Sequence, residues 1–219
     1  MLNVKACIFD LDGVIVDTAR HHFAAWQALA NELVIPFTEE DNEQLKGVSR
    51  VDSLEYILRK GNLILDSATK LQLMDKKNAL YLGLAESTTS VDVLDGIVPL
   101  MDEMADSKIQ IGLGSSSKNA RMILKKLDLI HRFDTIVDGN NITLSKPDPE
   151  VFLKAAKAMD VSPEHCLVFE DAQSGIEAAK TGGFPVVGVG SGLETAHASF
   201  ESLNGLSLEG IIGKLDFSQ

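Results

Sequence analysis

The sequence predicts an α/β protein with a Rossmann-like, doubly wound parallel sheet and an all-helical unit inserted after the first strand. From residue 96 onward, short apolar runs alternate with stretches of helical periodicity, which is typical of a parallel sheet covered by helices on both faces. Another apolar run, Ala6–Phe9, has the length of a buried strand. The segment between them shows no strand pattern. We therefore place the core in residues 1–15 and 88–219, and the helical unit in residues 16–87.

Apolar residues at helical spacing place the helices of the inserted unit. We expect them over residues 19–33, 39–45, 51–61 and 67–86. In the core we expect strands over residues 6–9, 109–113, 135–137, 166–169 and 186–189, and helices over residues 97–104, 120–127, 150–159 and 174–180.

Charge and composition exclude several classes of partner. The formal net charge of −12 disfavours nucleic acid and anionic membrane surfaces, because both require a basic patch. No apolar window approaches the ~18 residues that a membrane span needs, and no leader pattern is present, so we expect a cytoplasmic protein. Cys7 and Cys166 lie in apolar runs and are expected to be buried thiols.

Two aspartates follow the first predicted strand, with a glycine directly after them. Side chains at positions i and i+2 of an extended chain point the same way, so Asp10 and Asp12 can face one target. Gly13 lets the chain turn sharply. An isolated Asp-x-Asp-Gly is equally typical of an ordinary turn, because aspartate and glycine are common turn residues.

Polar loops follow the other predicted strands. Ligands bind at the carboxyl ends of parallel strands, where we expect residues 114–119, residues 145–149 and the pair Glu170-Asp171 to meet the first two aspartates. Individually, the serines and Asp171 could be helix caps and Lys146 a solvated loop residue. Together they are better explained as a site for a phosphate and a metal ion.

The chemistry of phosphoryl transfer gives a reason for this set. A carboxylate that attacks a phosphate dianion meets charge repulsion, which a bound Mg²⁺ removes. Magnesium prefers oxygen ligands, which Asp10, Asp12, Glu170 and Asp171 can offer. The serine loop can donate hydrogen bonds to phosphate oxygens, and Lys146 supplies a further positive charge.

These segments, Asp10-x-Asp12-Gly13, the loop at Ser115, Lys146-Pro147 and Glu170-Asp171, resemble in order the four motifs of haloacid dehalogenase-like phosphotransferases. The resemblance implies that Asp10 is the nucleophile, forming an aspartyl-phosphate, and that Asp12 is the general acid and base. It also implies catalytic roles for Ser115 and Lys146, and Mg²⁺ held by Asp10, the Asp12 carbonyl, Asp171 and Glu170.

The inserted segment contains Asp17-Thr18-Ala19, His22-Phe23, Trp26, the run from Asn42 to Arg50, and Lys77-Asn78. In these motifs it resembles the substrate-covering cap of the family's sugar-phosphate mutases. Ser117-Lys118-Asn119 in the core resemble their counterparts in the same proteins.

The similarity implies that the following residues bind substrate: His22, Trp26, Gln44, Gly47, Val48, Ser49, Arg50, Lys77, Ser115, Ser116, Ser117, Lys118 and Asn119. Without it, His22 and Trp26 would be read as helix core and Lys77 as a lysine reaching water at the helix edge. Ser116 departs from the family pattern, which often has alanine there.

The implied reaction interconverts β-D-glucose 1-phosphate and D-glucose 6-phosphate through β-D-glucose 1,6-bisphosphate. We also expect a monomer that binds a small sugar phosphate or bisphosphate. A bisphosphate needs a second anion site, which Arg50, Lys118 and Asn119 can form. The alternative is a sugar-phosphate phosphatase with the same nucleophile. A non-catalytic sugar-phosphate sensor is disfavoured because the catalytic carboxylates are intact. The glycine run at Gly188, Gly190 and Gly192 follows the last strand, which argues against dinucleotide binding.

Overall fold

The computed structural model describes residues 2–218, and its centre is a parallel sheet in the order β3-β2-β1-β4-β5-β6. The strands are β1 (Ala6–Phe9), β2 (Gln110–Gly114), β3 (Thr135–Val137), β4 (Cys166–Glu170), β5 (Val186–Val189) and β6 (Ala198–Phe200). Each adjacent pair is parallel. The predicted fold class is confirmed, and β1 lies between β2 and β4.

Helices cover both faces of the sheet and form the insertion after β1. The insertion contains α1 (Ala19–Glu32), α2 (Glu39–Glu43), α3 (Arg50–Lys60) and α4 (Ser67–Ala85). The remaining α-helices are α5 (Ile97–Asp106), α6 (Ala120–Lys126), α7 (Glu150–Ala158), α8 (Gln173–Thr181) and α9 (Leu208–Ile212). Short 3-10 turns cover Ser90–Asp92, Ile130–Arg132 and Pro163–His165. In residues 2–218 no helix combines the length and apolar character needed to cross a membrane.

Alternation along the buried strands separates the apolar core into two layers. Phe9 packs into one layer, where its ring stacks on that of Phe169 with centroids 4.7 Å apart. Ile8 points to the other layer, together with Phe152. A third apolar cluster, centred on Trp26 and its neighbours, lies within the inserted helices. Because the insertion has a core of its own, α1 to α4 can keep their packing while they face the sheet edge.

The two connections between insertion and sheet run side by side. Val16 and Val93 form an antiparallel bridge. The Asp17 amide donates to the Asp92 carbonyl at 3.0 Å, and the Leu94 amide donates to the Ile15 carbonyl at 2.9 Å. The predicted division at residues 16–87 stays a prediction in its exact limits.

The last strand and the last helix were not predicted. β6 is three residues long and none of them is buried, so it carries no apolar run. α9 is five residues long, which is too short for a helical period to be visible. Its formation depends on tertiary contacts: the Leu208 amide donates to the carboxylate of Glu103 at 3.0 Å.

Asp41 is a buried carboxylate that ties the insertion together. It accepts hydrogen bonds from the Thr38 amide at 2.8 Å, the Tyr56 hydroxyl at 3.0 Å and the Lys60 ammonium at 2.5 Å. The hydrogen bond from Lys60, outweighing the effect of burial, holds the pKa of Asp41 well below its usual range. Asp41 is therefore ionised in the folded protein.

Replacing Asp41 by asparagine should reduce stability at pH 7 by about 1–3 kcal/mol, since a buried charged hydrogen-bond partner is lost. A folded-state pKa that is depressed stabilises the protein above the unfolded value of about 3.9 and loses this effect as the pH falls. The wild type should thus lose stability progressively as the pH falls below about 5 towards the depressed pKa of the folded state, and Asp41→Asn should lose less. Urea unfolding at several pH values measures both. Asp106→Asn, at an exposed helix end, is the control, and parallel pH profiles for wild type and Asp41→Asn would contradict the assignment.

Val34 has an unfavourable backbone conformation. It follows the end of α1 with φ +58°, a left-handed value that β-branched residues rarely adopt, and its side chain is 89% exposed. Its amide donates to the Asn31 carbonyl at 3.0 Å, which closes the helix end. Glycine is the usual residue at such a position.

Val34→Gly should therefore stabilise the protein by about 0.5–1 kcal/mol, because it relieves a left-handed strain of roughly 1–2 kcal/mol at some cost in chain entropy. Chemical denaturation measures the change. Val91→Gly is the matched control, because Val91 is 88% exposed and is not among the residues of positive φ. A loss of stability in Val34→Gly equal to that in the control would show that no strain was relieved.

Candidate active site

A buried lysine between two carboxylates forms the floor of the site. Asp10 directly follows β1, Glu170 ends β4, and Lys146 comes from the loop before α7. The Lys146 ammonium donates to Asp10 Oδ1 at 2.5 Å and to Glu170 Oε1 at 2.5 Å. Glu170 Oε2 accepts from the Ala172 amide at 2.8 Å. The register of β1 and β4 pairs Phe9 with Phe169, so both acids leave the sheet at the same level.

Burial and mutual repulsion change the ionisation of this group. Burial, with the charges of Glu170 and Asp12, raises the pKa of Asp10 to about 7 against the opposing effect of Lys146. Burial alone would lower the pKa of Lys146, but the charges of Asp10 and Glu170 raise it above its ordinary value. Lys146 is therefore a permanent cation beneath the acids.

Two glycines make room for the acidic side chains. A Cβ at Gly175, in the first turn of α8, would lie 1.9 Å from Glu170 Oε1. A Cβ at Gly13, where φ is +89°, would lie 2.2 Å from Asp171 Oδ2. Gly13 thus satisfies two requirements, the turn after Asp12 and the close approach of Asp171.

Asp12 is held by residues of α1 and its first turn. The Thr18 hydroxyl donates to Asp12 Oδ1, and His22 Nε2 lies 3.6 Å from the same oxygen. Burial would raise the pKa of Asp12, but His22, the Thr18 hydroxyl and Lys77 together hold it below its ordinary value. Thr18 was not among the predicted site residues, because a threonine before a helix is usually only a cap.

Lys77 approaches the site from α4 and is almost completely buried. Its ammonium lies 2.9 Å from His22 Nδ1, 4.6 Å from the centroid of the Trp26 ring and 5.2 Å from that of Tyr81. Burial and the charge of Arg50 lower the pKa of Lys77 to about 7. When charged, it donates to Nδ1, which leaves the His22 hydrogen on Nε2 facing Asp12. Lys77 therefore does not reach solvent at the helix edge, as the alternative interpretation required.

The loop after β2 presents its serines beside Asp10. Ser115 is buried, and its Oγ accepts from the Ser117 amide at 3.1 Å. Ser117 Oγ accepts from the Asn119 amide at 3.3 Å. Ser116 Oγ donates to the Gly47 carbonyl at 2.6 Å, so this hydroxyl points to the insertion.

A second polar cluster joins the insertion to the core. The Arg50 guanidinium donates to Asn78 Oδ1 at 2.7 Å, and Asn119 Nδ2 donates to the same oxygen at 3.0 Å. Arg50 begins α3, Asn78 lies on α4, and Asn119 precedes α6. Lys118 beside it is exposed but lines the same cavity. The cluster offers a guanidinium and amide hydrogens to an anion, since Arg is suited to binding phosphate.

One cavity of about 1090 Å³ contains most of the predicted site. Its walls include Asp10, Asp12, His22, Trp26, Gly47, Val48, Ser49, Arg50, Lys77, Ser115, Ser116, Ser117, Lys118, Asn119 and Lys146. Gln44 is exposed and does not line this cavity, so the structure does not bring it to the other residues. Glu170 and Asp171 lie beside Asp10 but not on the wall. Asn42 and Asp75 also line it and were not among the predicted site residues. Asn42 begins the run to Arg50 that resembles the family's cap, whereas no pattern in the sequence marks Asp75.

The acidic residues fit a divalent cation only with other oxygen ligands. In residues 2–218 no three acidic, histidine or cysteine side chains are close enough to hold a metal ion by themselves. Burial, with the charges of Glu170 and Asp10, raises the pKa of Asp171. Mg²⁺ usually takes one or two carboxylates and keeps several waters. Asp10, Asp171 and the Asp12 carbonyl fit that requirement.

The fold and the site together define a class of protein that transfers phosphoryl groups. They combine a parallel α/β core, a helical insertion after its first strand and paired aspartates at the end of that strand. A model described as haloacid dehalogenase-like hydrolase matches residues 7–189. The chain belongs to this family.

Several relatives are similar over most of their length. A Bacillus subtilis protein named β-phosphoglucomutase is 48% identical over 86% of this chain and 84% of the relative. A Thermotoga maritima protein named phosphorylated carbohydrates phosphatase is 31% identical over 91% of both. The crystal structure of β-phosphoglucomutase from Clostridium difficile matches with a TM-score of 0.93 and 40% identity over 96% of both chains.

Removing the buried ammonium should destabilise the fold strongly. Lys146→Met leaves the carboxylates of Asp10 and Glu170 without their cation, and breaking a buried pair in this way costs about 3–5 kcal/mol. Adding Glu170→Gln removes one of the two charges, so the double variant should recover part of the loss. Urea unfolding of the single and double variants measures this coupling. Lys125→Met, at an exposed position of α6, is the control, and strictly additive losses would contradict the proposed pairing.

Proposed function

We propose that the chain interconverts β-D-glucose 1-phosphate and D-glucose 6-phosphate through β-D-glucose 1,6-bisphosphate, with an aspartyl-phosphate on Asp10. The observation that carries this proposal is the presence of two clusters of cationic and hydrogen-bond-donating groups in one cavity. Lys146 and the serine loop accompany Asp10 at the floor. Arg50, Lys118 and Asn119 line another part of the same cavity, where Arg50 and Asn119 both donate to Asn78 Oδ1. A sugar bisphosphate needs both clusters. The name of the Bacillus relative supports the same reaction.

Asp10 attacks the phosphorus atom of the bound phosphate. Lys146 occupies Oδ1, so we assign Oδ2 as the attacking oxygen. The new bond joins Oδ2 to phosphorus, and the bond from phosphorus to the sugar oxygen breaks. The departing oxygen takes its proton from Asp12, which received that proton in the preceding half-reaction. In that half-reaction a sugar hydroxyl attacks the aspartyl-phosphate: its oxygen bonds to phosphorus, the bond from phosphorus to Asp10 Oδ2 breaks, and its proton passes to the ionised Asp12 carboxylate, whose pKa is held below its ordinary value.

Asp12 is oriented for this exchange by residues of the insertion. The Thr18 hydroxyl fixes Oδ1, which directs Oδ2 to the reacting oxygen. The pairing of Lys77 with His22 Nδ1 keeps the imidazole turned to Asp12. We propose that His22, Lys77 and Trp26 also contact the sugar, because all three line the cavity.

Mg²⁺ would be held by Asp10, the Asp12 carbonyl and Asp171. Both oxygens of Glu170 already accept hydrogen bonds. We therefore assign Glu170 to positioning Lys146 and not to binding the metal directly. When bound, the ion neutralises charge on the phosphate. Ser115 and the amides of its loop contribute hydrogen bonds to the phosphate oxygens. The predicted monomeric, cytoplasmic state stays a prediction.

A sugar-phosphate phosphatase is the second candidate. The floor around Asp10 would serve hydrolysis equally well, and the Thermotoga relative is named as a phosphatase. Hydrolysis of a monophosphate leaves the cluster at Arg50 without a function. We therefore favour the mutase.

A coupled assay with Mg²⁺ distinguishes the two candidates. β-D-glucose 1-phosphate with a trace of the bisphosphate should yield D-glucose 6-phosphate, and Asp10→Asn should abolish turnover. Arg50→Ala should reduce mutase turnover by about 100-fold or more, since a charged hydrogen bond to phosphate is lost, while slow hydrolysis at Asp10 persists. Arg59→Ala, exposed on the same helix, should leave both rates unchanged.

Accumulation of glucose and inorganic phosphate alone in the wild type would contradict the mutase. Equal loss of mutase and hydrolase activity in Arg50→Ala would contradict the assignment of Arg50 to the second phosphate.

A further inference from the structure

Two serines of the core hold one loop of the insertion by its backbone. Ser116 Oγ donates to the Gly47 carbonyl at 2.6 Å, and Ser174 Oγ donates to the Lys46 carbonyl at 2.8 Å. Ser116 comes from the loop after β2 and Ser174 from the first turn of α8, after β4. Because β2 and β4 flank β1, the loop is held from both sides of the strand that leads to Asp10.

The loop fits closely against the floor of the site. Gly47 has φ +74°, and a Cβ there would lie 2.5 Å from Ser174 Oγ and 3.4 Å from Lys146 Cδ. The side chain of Lys46 also reaches the core, with Nζ 3.7 Å from Asp171 Oδ2. Lys46 and Gly47 therefore lie against the floor around the lysine that holds Asp10, and Val48, Ser49 and Arg50 continue along the wall of the same cavity.

The hydroxyl of Ser116 cannot serve the loop and a phosphate at once. A serine hydroxyl has one hydrogen to donate, and here the Gly47 carbonyl accepts it. While the loop is docked, phosphate oxygens at the floor must take their hydrogens from other groups, such as the Ser115 hydroxyl and the loop amides. The Ser116 side chain is thus assigned to the loop and not to the substrate.

We propose that Ser116 and Ser174 are positioning residues that keep residues 46–50 docked over Asp10, and that this docking directs the phosphoryl group to a sugar hydroxyl in preference to water. The inference rests on the proposed mutase function. In the competing hydrolysis, a water oxygen bonds to phosphorus, the bond from phosphorus to Asp10 breaks, and the water proton passes to Asp12. Excluding water from the docked site suppresses this step.

The two hydrogen bonds differ from two other contacts that join insertion and core near this cavity. Asn119 with Asn78, and Ser145 with Asp52 at 2.7 Å, pair side chain with side chain and can rearrange around a ligand. The serines instead hold main-chain carbonyls, so they fix the loop backbone itself. Arg50 is the last residue of this segment and the first of α3, so its position depends on the same docking.

Two measurements test the proposal in the full-length protein. Hydrogen–deuterium exchange reports the opening of residues 46–50 without any substrate, and the coupled assay reports the ratio of mutase to hydrolase turnover. In Ser116→Ala and in Ser174→Ala, exchange in this loop should rise about 2- to 10-fold, the factor expected for one hydrogen bond. The ratio should fall by a similar factor, and the double variant should exceed both. Ser199→Ala is the matched control, because its hydroxyl donates to the Leu193 carbonyl at 2.6 Å within the core.

Unchanged loop exchange in both serine variants, or a rise equal to that in Ser199→Ala, would overturn the docking role. Faster hydrogen–deuterium exchange with an unchanged ratio of mutase to hydrolase turnover would overturn the claim that docking favours a sugar hydroxyl over water as the acceptor. If the wild type only hydrolyses the sugar phosphate and never transfers the phosphoryl group to a sugar, the mutase proposal fails while the docking proposal can still be tested. The serine variants should then hydrolyse faster than Ser199→Ala, and equal rates would overturn water exclusion by the loop.

Discussion

The ammonium of Lys146 lies 2.5 Å from carboxylate oxygens of both Asp10 and Glu170, and these three residues come from three distant parts of the chain. Two carboxylates buried so close to each other would repel strongly without a cation between them. The rest of the floor follows from this requirement. β1 and β4 must be neighbours in register, and Gly175 must lack a side chain so that Glu170 fits beneath α8.

The fold could be predicted from the sequence because its central strands are unbroken apolar runs. β1 was predicted to the residue, and the strand-end rule then grouped Asp10 with the loops after β2 and β4. β6 could not be predicted in this way, because its three residues form no apolar run and the strand is held by pairing with β5. Strand order likewise depends on tertiary packing, which local patterns do not contain.

The site was predictable as a set of residue types but not as a set of contacts. His22 and Lys77 are 55 residues apart, and no local pattern shows that their side chains meet. Thr18 looks like a helix cap in the sequence, yet its hydroxyl donates to Asp12. Gln44 was predicted to bind substrate because it belongs to the run that resembles the family's cap, but it is exposed and does not line the cavity.

The paired connections at Val16 and Val93 form the boundary between the insertion and the sheet. Asp10, Lys146 and Glu170 come from the sheet and its loops, whereas Arg50, Lys77 and Trp26 come from the insertion. In the proposed mechanism, most groups that would contact the sugar are therefore separate from those around the transferred phosphate. Exchanging α1 to α4 between relatives, with both joints placed at this bridge, is expected to alter sugar preference as long as the contacts of Thr18 and His22 with Asp12 are kept.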